Sequence, residues 1–385
     1  MRVGVLGGGQ LGRMLALAGH PLGHSFTFLD PTPDPPMAAV ARGIRASFDD
    51  PAAREELARA SDVLTFEFEN VSLEAARWIS QRVPLMPSLR ALEAKRDRLT
   101  EKQLFASLGI PTARYATAGT ADEFERAVEE LGFPVVVKTR SQGYDGKGQA
   151  VLRDPRHLQR VWEALRGAPL LLESFVPFDR ELSILAVRAL DGSVRSYPLV
   201  ENHHASGILR NTLAPAEGVD AGLQAQAERF AGALLEHLRY VGVLALELFQ
   251  VGDRLLANEF APRVHNSGHW TIEGAWTSQF SNHIRAVTGM PLGDTRVRGR
   301  SLMVNILGEL PDLVRTAAVP LSSLHLYGKA PKPGRKLGHV TLCCAGESPA
   351  DLAAFDASRR ELLSLVDSHL AAPPLAPPPT LPFPV

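Results

Sequence analysis

Between Val243 and Thr271 the chain reads VLALELFQVGDRLLANEFAPRVHNSGHWT: two apolar strands about a tight Val-Gly-Asp-Arg turn, then a polar loop. A hairpin centred on Asp253 sets Glu247 opposite Glu259. Alternation through Val243, Ala245, Glu247 and Phe249 then puts both carboxylates on one face, among apolar neighbours. Facing buried carboxylates repel, so the pattern calls for a shared proton or a cation between them, and a hard divalent ion is the natural partner. The alternative is that one glutamate is exposed or pairs with Arg254 or Arg263.

A chain of 385 residues has room for two or three such units, each with its own core. A formal net charge of -1, with 45% hydrophobic and 22% charged residues, provides no footprint for nucleic acid or an anionic membrane. Any anionic ligand must therefore meet a local cluster. The two cysteines, Cys343 and Cys344, are adjacent, which is poor geometry for a disulfide and no metal framework, so a cytoplasmic setting is expected. Gly7, Gly8, Gly9, Gly12 and Arg13 interrupt what would otherwise read as a leader, and no apolar run is long enough for a bilayer.

The first strand, Met1 to Leu6, leads into Gly7-Gly8-Gly9-Gln10-Leu11-Gly12 and a helix running to Ala18. Gly7, Gly9 and Gly12 satisfy a dinucleotide fingerprint, and Asp30, after the strand Phe26 to Leu29, is placed for a ribose hydroxyl. The physics is more general, because glycines and a helix N-terminus admit any phosphate or other anion. A further strand ends in Glu67-Phe68-Glu69-Asn70, where Glu67 and Asn70 are candidate substrate contacts and the plainer alternative is a solvated strand end. Pro84, Pro87 and Ser88 mark a boundary near residue 90. An amphipathic helix is expected from Lys95 to Leu108, stopped by Gly109 and Pro111, with Arg98 on its solvated face.

The strand Phe133 to Arg140 carries Lys138 and runs into Gly143-Tyr144-Asp145-Gly146-Lys147-Gly148-Gln149. Glycines between two lysines suit a lid over a polyphosphate, although the string is not a Walker sequence, and the plainer alternative is a flexible surface hairpin. Leu170 to Val176 is an apolar strand and hinge whose backbone can pair with a purine edge, and Glu181 follows with a carboxylate for ribose hydroxyls. His203 and His204 read as a loop after another strand. His265 and His269 invite zinc, but Ser267 and Gly268 oppose a helix there and no third ligand is evident. Beyond the strand Ser301 to Leu307, the basic loop Lys329, Lys332, Arg335 and Lys336 is either solvated surface or an anion clamp, and the otherwise neutral chain favours the clamp. The proline-rich end, Ala371 to Val385, is expected to be poorly ordered.

Lysine strand, glycine lid, apolar hinge and paired glutamates, in that order, resemble the ATP-grasp superfamily. Within it the chain resembles the N5-carboxyaminoimidazole ribonucleotide synthetases, through GGGQLGRML (Gly7 to Leu15), TFEFENV (Thr65 to Val71), DRLTEKQLF (Asp97 to Phe105), GYDGKGQ (Gly143 to Gln149), APRVHNSGHWT (Ala261 to Thr271) and PGRKLGH (Pro333 to His339). The resemblance implies an α/β and α+β architecture: a Rossmann-like domain over 1–92, an ATP-grasp domain over 93–300 with a lid at about 112–176, a small C-terminal domain over 301–370, and the tail.

It also implies a reaction in which ATP phosphorylates bicarbonate and the carboxyphosphate delivers CO2 to the amine of 5-aminoimidazole ribonucleotide. Arg98, Lys138 and Gly143 to Gln149 would hold phosphates; Glu173, Ser174, Phe175 and Val176 would line adenine; Glu181 would take the ribose, and His204 and Asn258 the rest of the nucleotide. Glu247 and Glu259 would bind magnesium, as one or two ions. Gln10, Glu67, Asn70, Tyr144, His265, Asn266, Lys329, Arg335 and Lys336 would surround the aminoimidazole nucleotide, with Asp145, Lys329, Arg335 and Lys336 closest to the chemistry and Asp145 taking the amine proton. A cytoplasmic homodimer is implied, with no nucleic-acid or membrane partner. The rivals are a formate-dependent glycinamide ribonucleotide transformylase of the same superfamily, a nucleotide binder without catalysis, and an NAD-dependent oxidoreductase resting on Gly7, Gly9, Gly12 and Asp30 alone.

Overall fold

The computed structural model describes residues 1–141 and 148–366; the lid residues Gly143, Tyr144, Asp145, Gly146 and Lys147, and the proline-rich tail, lie outside them. The first unit is a parallel sheet ordered Arg42–Ile44, Ser25–Leu29, Arg2–Leu6, Val63–Phe66. Ser25–Leu29, Arg2–Leu6 and Val63–Phe66 are almost wholly buried, the pattern of strands covered on both faces, while Arg42–Ile44 is an exposed edge. The strand order turns between Arg2–Leu6 and Val63–Phe66, so Gly7 and Glu67 emerge side by side at the carboxyl ends, where open parallel sheets bind ligands.

A second unit is an antiparallel sheet ordered Tyr115–Ala118, Leu170–Ser174, Val135–Thr139, Gln149–Leu152. The helix Ala121–Leu131 backs it, started by a capping box in which Thr120 and Glu123 satisfy each other's backbone amides. The third is a nine-stranded antiparallel sheet. From one edge it runs Arg254–Ala261, Gly242–Val251, Arg180–Arg188, Val200–Ala205, Ile208–Ala214, Arg300–Leu307, Lys336–Cys344, Ser322–Leu326, with Val194–Ser196 also on Arg180–Arg188. This sheet passes unbroken from Ile208–Ala214 into Arg300–Leu307, so the C-terminal segment extends the central sheet. The parallel unit is bolted to it by His283, whose Nε2 meets Thr65 Oγ1 at 2.9 Å while Nδ1 accepts from the Val243 amide at 3.1 Å. Burial holds this imidazole down at about 3, hence neutral, as an accepting Nδ1 requires.

Three local expectations change. The helix expected over 95–108 is two helices, Leu89–Arg96 and Arg98–Ser107. Asp97 breaks them apart, because its extended backbone and its side chain, accepting from the Leu99 amide at 2.8 Å, cap the second. Gly109, at φ +67, then ends that helix as expected. His203 and His204 lie within the strand Val200–Ala205, paired to Asn211 and Leu209, with a bulge between them. In the Glu247 hairpin the turn is tighter than a centre on Asp253 requires: Val251 pairs Arg254 and Leu248 pairs Ala257. A bulge then restores Glu247 opposite Glu259.

Candidate active site

The three units converge on one cavity of ≈ 1460 Å³. A single drug-sized ligand needs roughly 300–1,000 Å³, so this volume accommodates two substrates together. Of the expected site residues, Gln10, Glu67, Asn70, Arg98, Lys138, Gln149, Glu173, Ser174, Phe175, Val176, Glu181, His204, Glu247, Asn258, Glu259, His265, Asn266 and Lys336 line it.

The paired glutamates are both ionised and separately partnered. Lys95 Nζ lies 2.6 Å from Glu259 Oε2 and Arg98 Nη1 lies 3.7 Å from it. Burial opposes ionisation of Glu259, but Lys95 and Arg98 outweigh it and hold the carboxyl far below its ordinary range. His265 Nε2 stands 3.2 Å from Glu247 Oε1 and, again against burial, keeps Glu247 below its ordinary value. Neither Arg254 nor Arg263 is the partner. Arg263 grips Glu69 at 2.5 Å and, although burial opposes it, brings that carboxyl down to about 2. Glu69 is thus a bolt between the parallel unit and the polar loop, not a solvated strand end.

On the opposite wall Glu173 is 4% exposed and lies between two ammonium groups, Lys102 on Oε1 and Lys138 on Oε2, each at 2.5 Å. Burial works against the charge, yet the two lysines bring Glu173 down to about 2. Its carboxylate is therefore committed to the two lysines, and its backbone lies in the sheet between Tyr115 and Val136. Lys102 is absent from the sequence expectations, as is Lys95. Once Asp97 is seen as a cap, Arg98 and Lys102 stand one helical turn apart on one face, which is the signal that could have found Lys102.

Arg98 is likewise no solvated residue, since its side chain is 16% exposed and its Nε donates to the Thr139 carbonyl at 3.1 Å. Beyond the hinge, Glu181 meets His204 Nδ1 directly. Burial lowers the His204 imidazole, but the Glu181 hydrogen bond and charge prevail and raise it above its ordinary value. Phe178 and Phe249 stack face to face, 4.7 Å between centroids, on the same wall.

Three amides of the glycine loop are already taken by the chain's own carboxylates. Gly9 and Gly12 amides donate to the two oxygens of Glu67 at 2.5 and 2.9 Å, and Gly8 donates to Asp30 Oδ2 at 2.8 Å. The chain's own carboxylates occupy the donors that a dinucleotide phosphate would need, and Asp30, which also accepts from Thr32 at 2.7 Å, is not free for a ribose. Capping the loop places Gln10, whose Oε1 accepts from Lys329 Nζ at 2.6 Å. Lys336 also lines the cavity, whereas Lys329 does not line it and reaches it through Gln10. Arg335 does not line it; its Nη1 donates to the Ala330 carbonyl at 3.0 Å within its own loop. Gly148 also stands off the wall, its carbonyl accepting from the Thr139 amide at 2.8 Å.

Comparison with known proteins places these features. Residues 1–96 match the ribonucleotide synthetase preATP-grasp domain, 103–280 the ATP-grasp domain, and 301–351 the phosphoribosylaminoimidazole carboxylase C-terminal domain. A Pseudomonas aeruginosa protein named N5-carboxyaminoimidazole ribonucleotide synthase is 50% identical over 368 residues, covering 96% of this chain and 100% of the relative. The crystal structure of N5-carboxyaminoimidazole ribonucleotide synthetase from Thermus thermophilus superposes with a TM-score of 0.90 at 51% identity, over 95% of this chain and 98% of that one. An Aspergillus clavatus N5-carboxyaminoimidazole synthase, solved with ADP and 5-aminoimidazole ribonucleotide, reaches 0.87 at 32% identity over 95% and 98%.

Proposed function

The chain belongs to the N5-carboxyaminoimidazole ribonucleotide synthase family, and from that premise we propose how its cleft carries out the ATP-dependent carboxylation of 5-aminoimidazole ribonucleotide in purine biosynthesis. It is an ATP-dependent ligase of the ATP-grasp class. The observation that carries the assignment of the two ends is their opposite furnishing. One part of the wall sets Arg98 and Lys138 against ionised Glu247 and Glu259; elsewhere the parallel unit supplies Gln10, which holds Lys329, and the C-terminal strand supplies Lys336.

ATP lies at the first end. The hinge Glu173 to Val176 lines the adenine, Glu181 with His204 takes the ribose, and Arg98 and Lys138 meet the phosphates. Glu247 and Glu259 fit magnesium: both are ionised, both offer hard oxygens, and they face each other. Among the described residues no group of three or more His, Cys, Asp or Glu could hold a metal by itself. That also suits magnesium, which keeps waters and is completed by substrate phosphates. When bound, the ion neutralises charge on the transferring phosphoryl group.

A bicarbonate oxygen attacks the γ-phosphorus, releasing ADP and forming carboxyphosphate. This collapses to CO2 and phosphate within the closed cleft, and the exocyclic amine of the aminoimidazole attacks CO2 and gives up a proton. Lys336 and, beside Gln10, Lys329 hold the nucleotide that bears the amine, Glu67, Asn70, His265 and Asn266 surround it with Gln10, and Tyr144 and Asp145, outside the described residues, complete the assignment with Asp145 taking the proton. Exclusion of water protects the carboxyphosphate. No helix among the described residues is long and apolar enough to cross a membrane, and a cytoplasmic homodimer is the assembly we propose.

The deciding experiment is ADP release with ATP, magnesium and bicarbonate, with and without 5-aminoimidazole ribonucleotide. Strong stimulation by that nucleotide is expected. Stimulation instead by glycinamide ribonucleotide with formate would overturn the substrate assignment and leave the ATP end intact.

A further inference from the structure

The strand Arg254–Ala261 forms one edge of the nine-stranded sheet, so its outward backbone groups need partners from outside the sheet. Those partners record the bulge. The outward amides belong to Leu255, which donates to Gln226 at 2.5 Å; Ala257, to the Pro111 carbonyl at 2.7 Å; and Phe260, to Glu101 Oε1 at 2.7 Å. A regular strand turns every second amide outward. The step from Ala257 to Phe260 is one residue longer, and the extra residue is Asn258, whose carbonyl also points outward to accept from Lys102 Nζ at 3.0 Å.

Without that residue in the bulge, Glu247 would face Asn258, and Glu259 would turn to the opposite face with Leu246, into the apolar core. The groups that take Asn258 O and Phe260 N are neighbours on one helix, Glu101 and Lys102, 1% and 3% exposed. They grip the strand on either side of Glu259. Glu101 also accepts from Lys95 of the preceding helix at 3.0 Å, and Lys95 in turn reaches Glu259 at 2.6 Å, so Glu101 steadies the carboxylate through Lys95 as well as its backbone directly. A plain edge cover would need polar partners anywhere along the strand. A clamp set one residue before and one after Glu259 selects a single register.

We infer that Glu101 and Lys102 are positioning residues that enforce the Asn258 bulge and so set Glu259 opposite Glu247 for the metal. The inference rests on the assignment of that pair to magnesium. Both side chains act from behind the strand, neither lining the cavity.

The test is a calorimetric magnesium titration of the full chain at fixed ADP, with ADP affinity measured separately in EDTA. Replacing Glu101 by leucine removes the acceptor for the Phe260 amide, whereas Glu101→Gln keeps it. For E101L the half-saturating magnesium concentration should rise on the order of tenfold, the range in which loss of a ligand's supporting partner falls. Its ADP affinity in EDTA should stay at the wild-type value, and E101Q should stay within about twofold of wild type in both. A folded E101L with a wild-type magnesium requirement, or an E101Q as impaired as E101L, would overturn the positioning role. Should E101L not fold, K102M tests the other side of the bulge. Its magnesium requirement should rise by more than its metal-free ADP affinity falls, and equal changes would refute the clamp. A parallel E259Q separates the premises: a wild-type magnesium requirement in E259Q would remove the metal assignment itself, whatever E101L does.

Discussion

Lys102 Nζ lies 2.5 Å from Glu173 Oε1 beneath the cleft floor, and the other oxygen of the same carboxylate holds Lys138. Lys102 therefore acts on the phosphate wall without reaching it. In Lys102→Met, Glu173 keeps Lys138 but loses half its compensation, and the Asn258 carbonyl loses its donor. Breaking a buried pair costs about 3–5 kcal/mol, and the surviving lysine puts this variant near the lower end, at about 3. Urea unfolding measures the loss, and unaltered stability would show that the pair is not energetically coupled.

Glu173 also predicts an acid limb. Its folded value of about 2 lies below the ordinary 4.5, so the stabilisation is complete above 4.5 and is lost as the pH falls through 2. A shift of that size corresponds to about 3 kcal/mol. In Glu173→Gln the stability deficit against wild type should shrink steadily between those limits. Urea midpoints at several pH values follow it, and a constant deficit would remove the linkage.

His204 has the opposite sign. Glu181 raises its imidazole above 6.5, so this stabilisation is complete below 6.5 and fades as the pH rises through the higher folded value. His204→Gln should erase the loss of stability on the alkaline side of 6.5 while leaving the acid limb alone. Thermal unfolding across that window is the check.

Glu259→Gln removes a proposed metal ligand with almost no change in volume, and it leaves Lys95 and Arg98 with a neutral partner. ADP release should fall by more than the roughly 100-fold seen when a ligand's supporting partner is lost, with circular dichroism unchanged. Turnover at the wild-type rate would exclude Glu259 from the metal site.

Much of this architecture is legible in the residues. The alternation around Glu247 and Glu259 predicts both the hairpin and the facing carboxylates, and Gly109 with Pro111 marks a helix end. What escapes is tertiary. The Asn258 bulge has no local signature, because it is held by two helix side chains distant in sequence. Lys95 and Lys102 read as surface charge on an amphipathic helix until Glu259 and Glu173, far along the chain, supply their partners. Arg335 is the converse, promising in its basic loop but turned back on Ala330. The glycine fingerprint misleads toward NAD for a physical reason: a phosphate-binding loop has the same local sequence whether its donors await a ligand or already hold Glu67 and Asp30.

That last relation yields a prediction of its own. A Cβ built at Gly9 would stand 2.3 Å from Glu67 Oε1, far inside contact distance, so Gly9→Ala must expel the carboxylate from the loop. Glu67 would lose the Gly9 amide, and because burial already raises its carboxyl above the ordinary value, its charge would become harder to keep. The next residue is Gln10, the acceptor for Lys329. The damage should therefore appear at the substrate end: KM for 5-aminoimidazole ribonucleotide rising by about tenfold, the scale of one lost hydrogen bond to a charged group, while KM for ATP and background ATP hydrolysis hold. Lys329→Ala should match this pattern, and the double variant should add little, since Gly9→Ala displaces Gln10 and Lys329→Ala removes the group Gln10 holds. Equal increases in both KM values for Gly9→Ala would show instead that the loop supports the whole cleft and not one end of it.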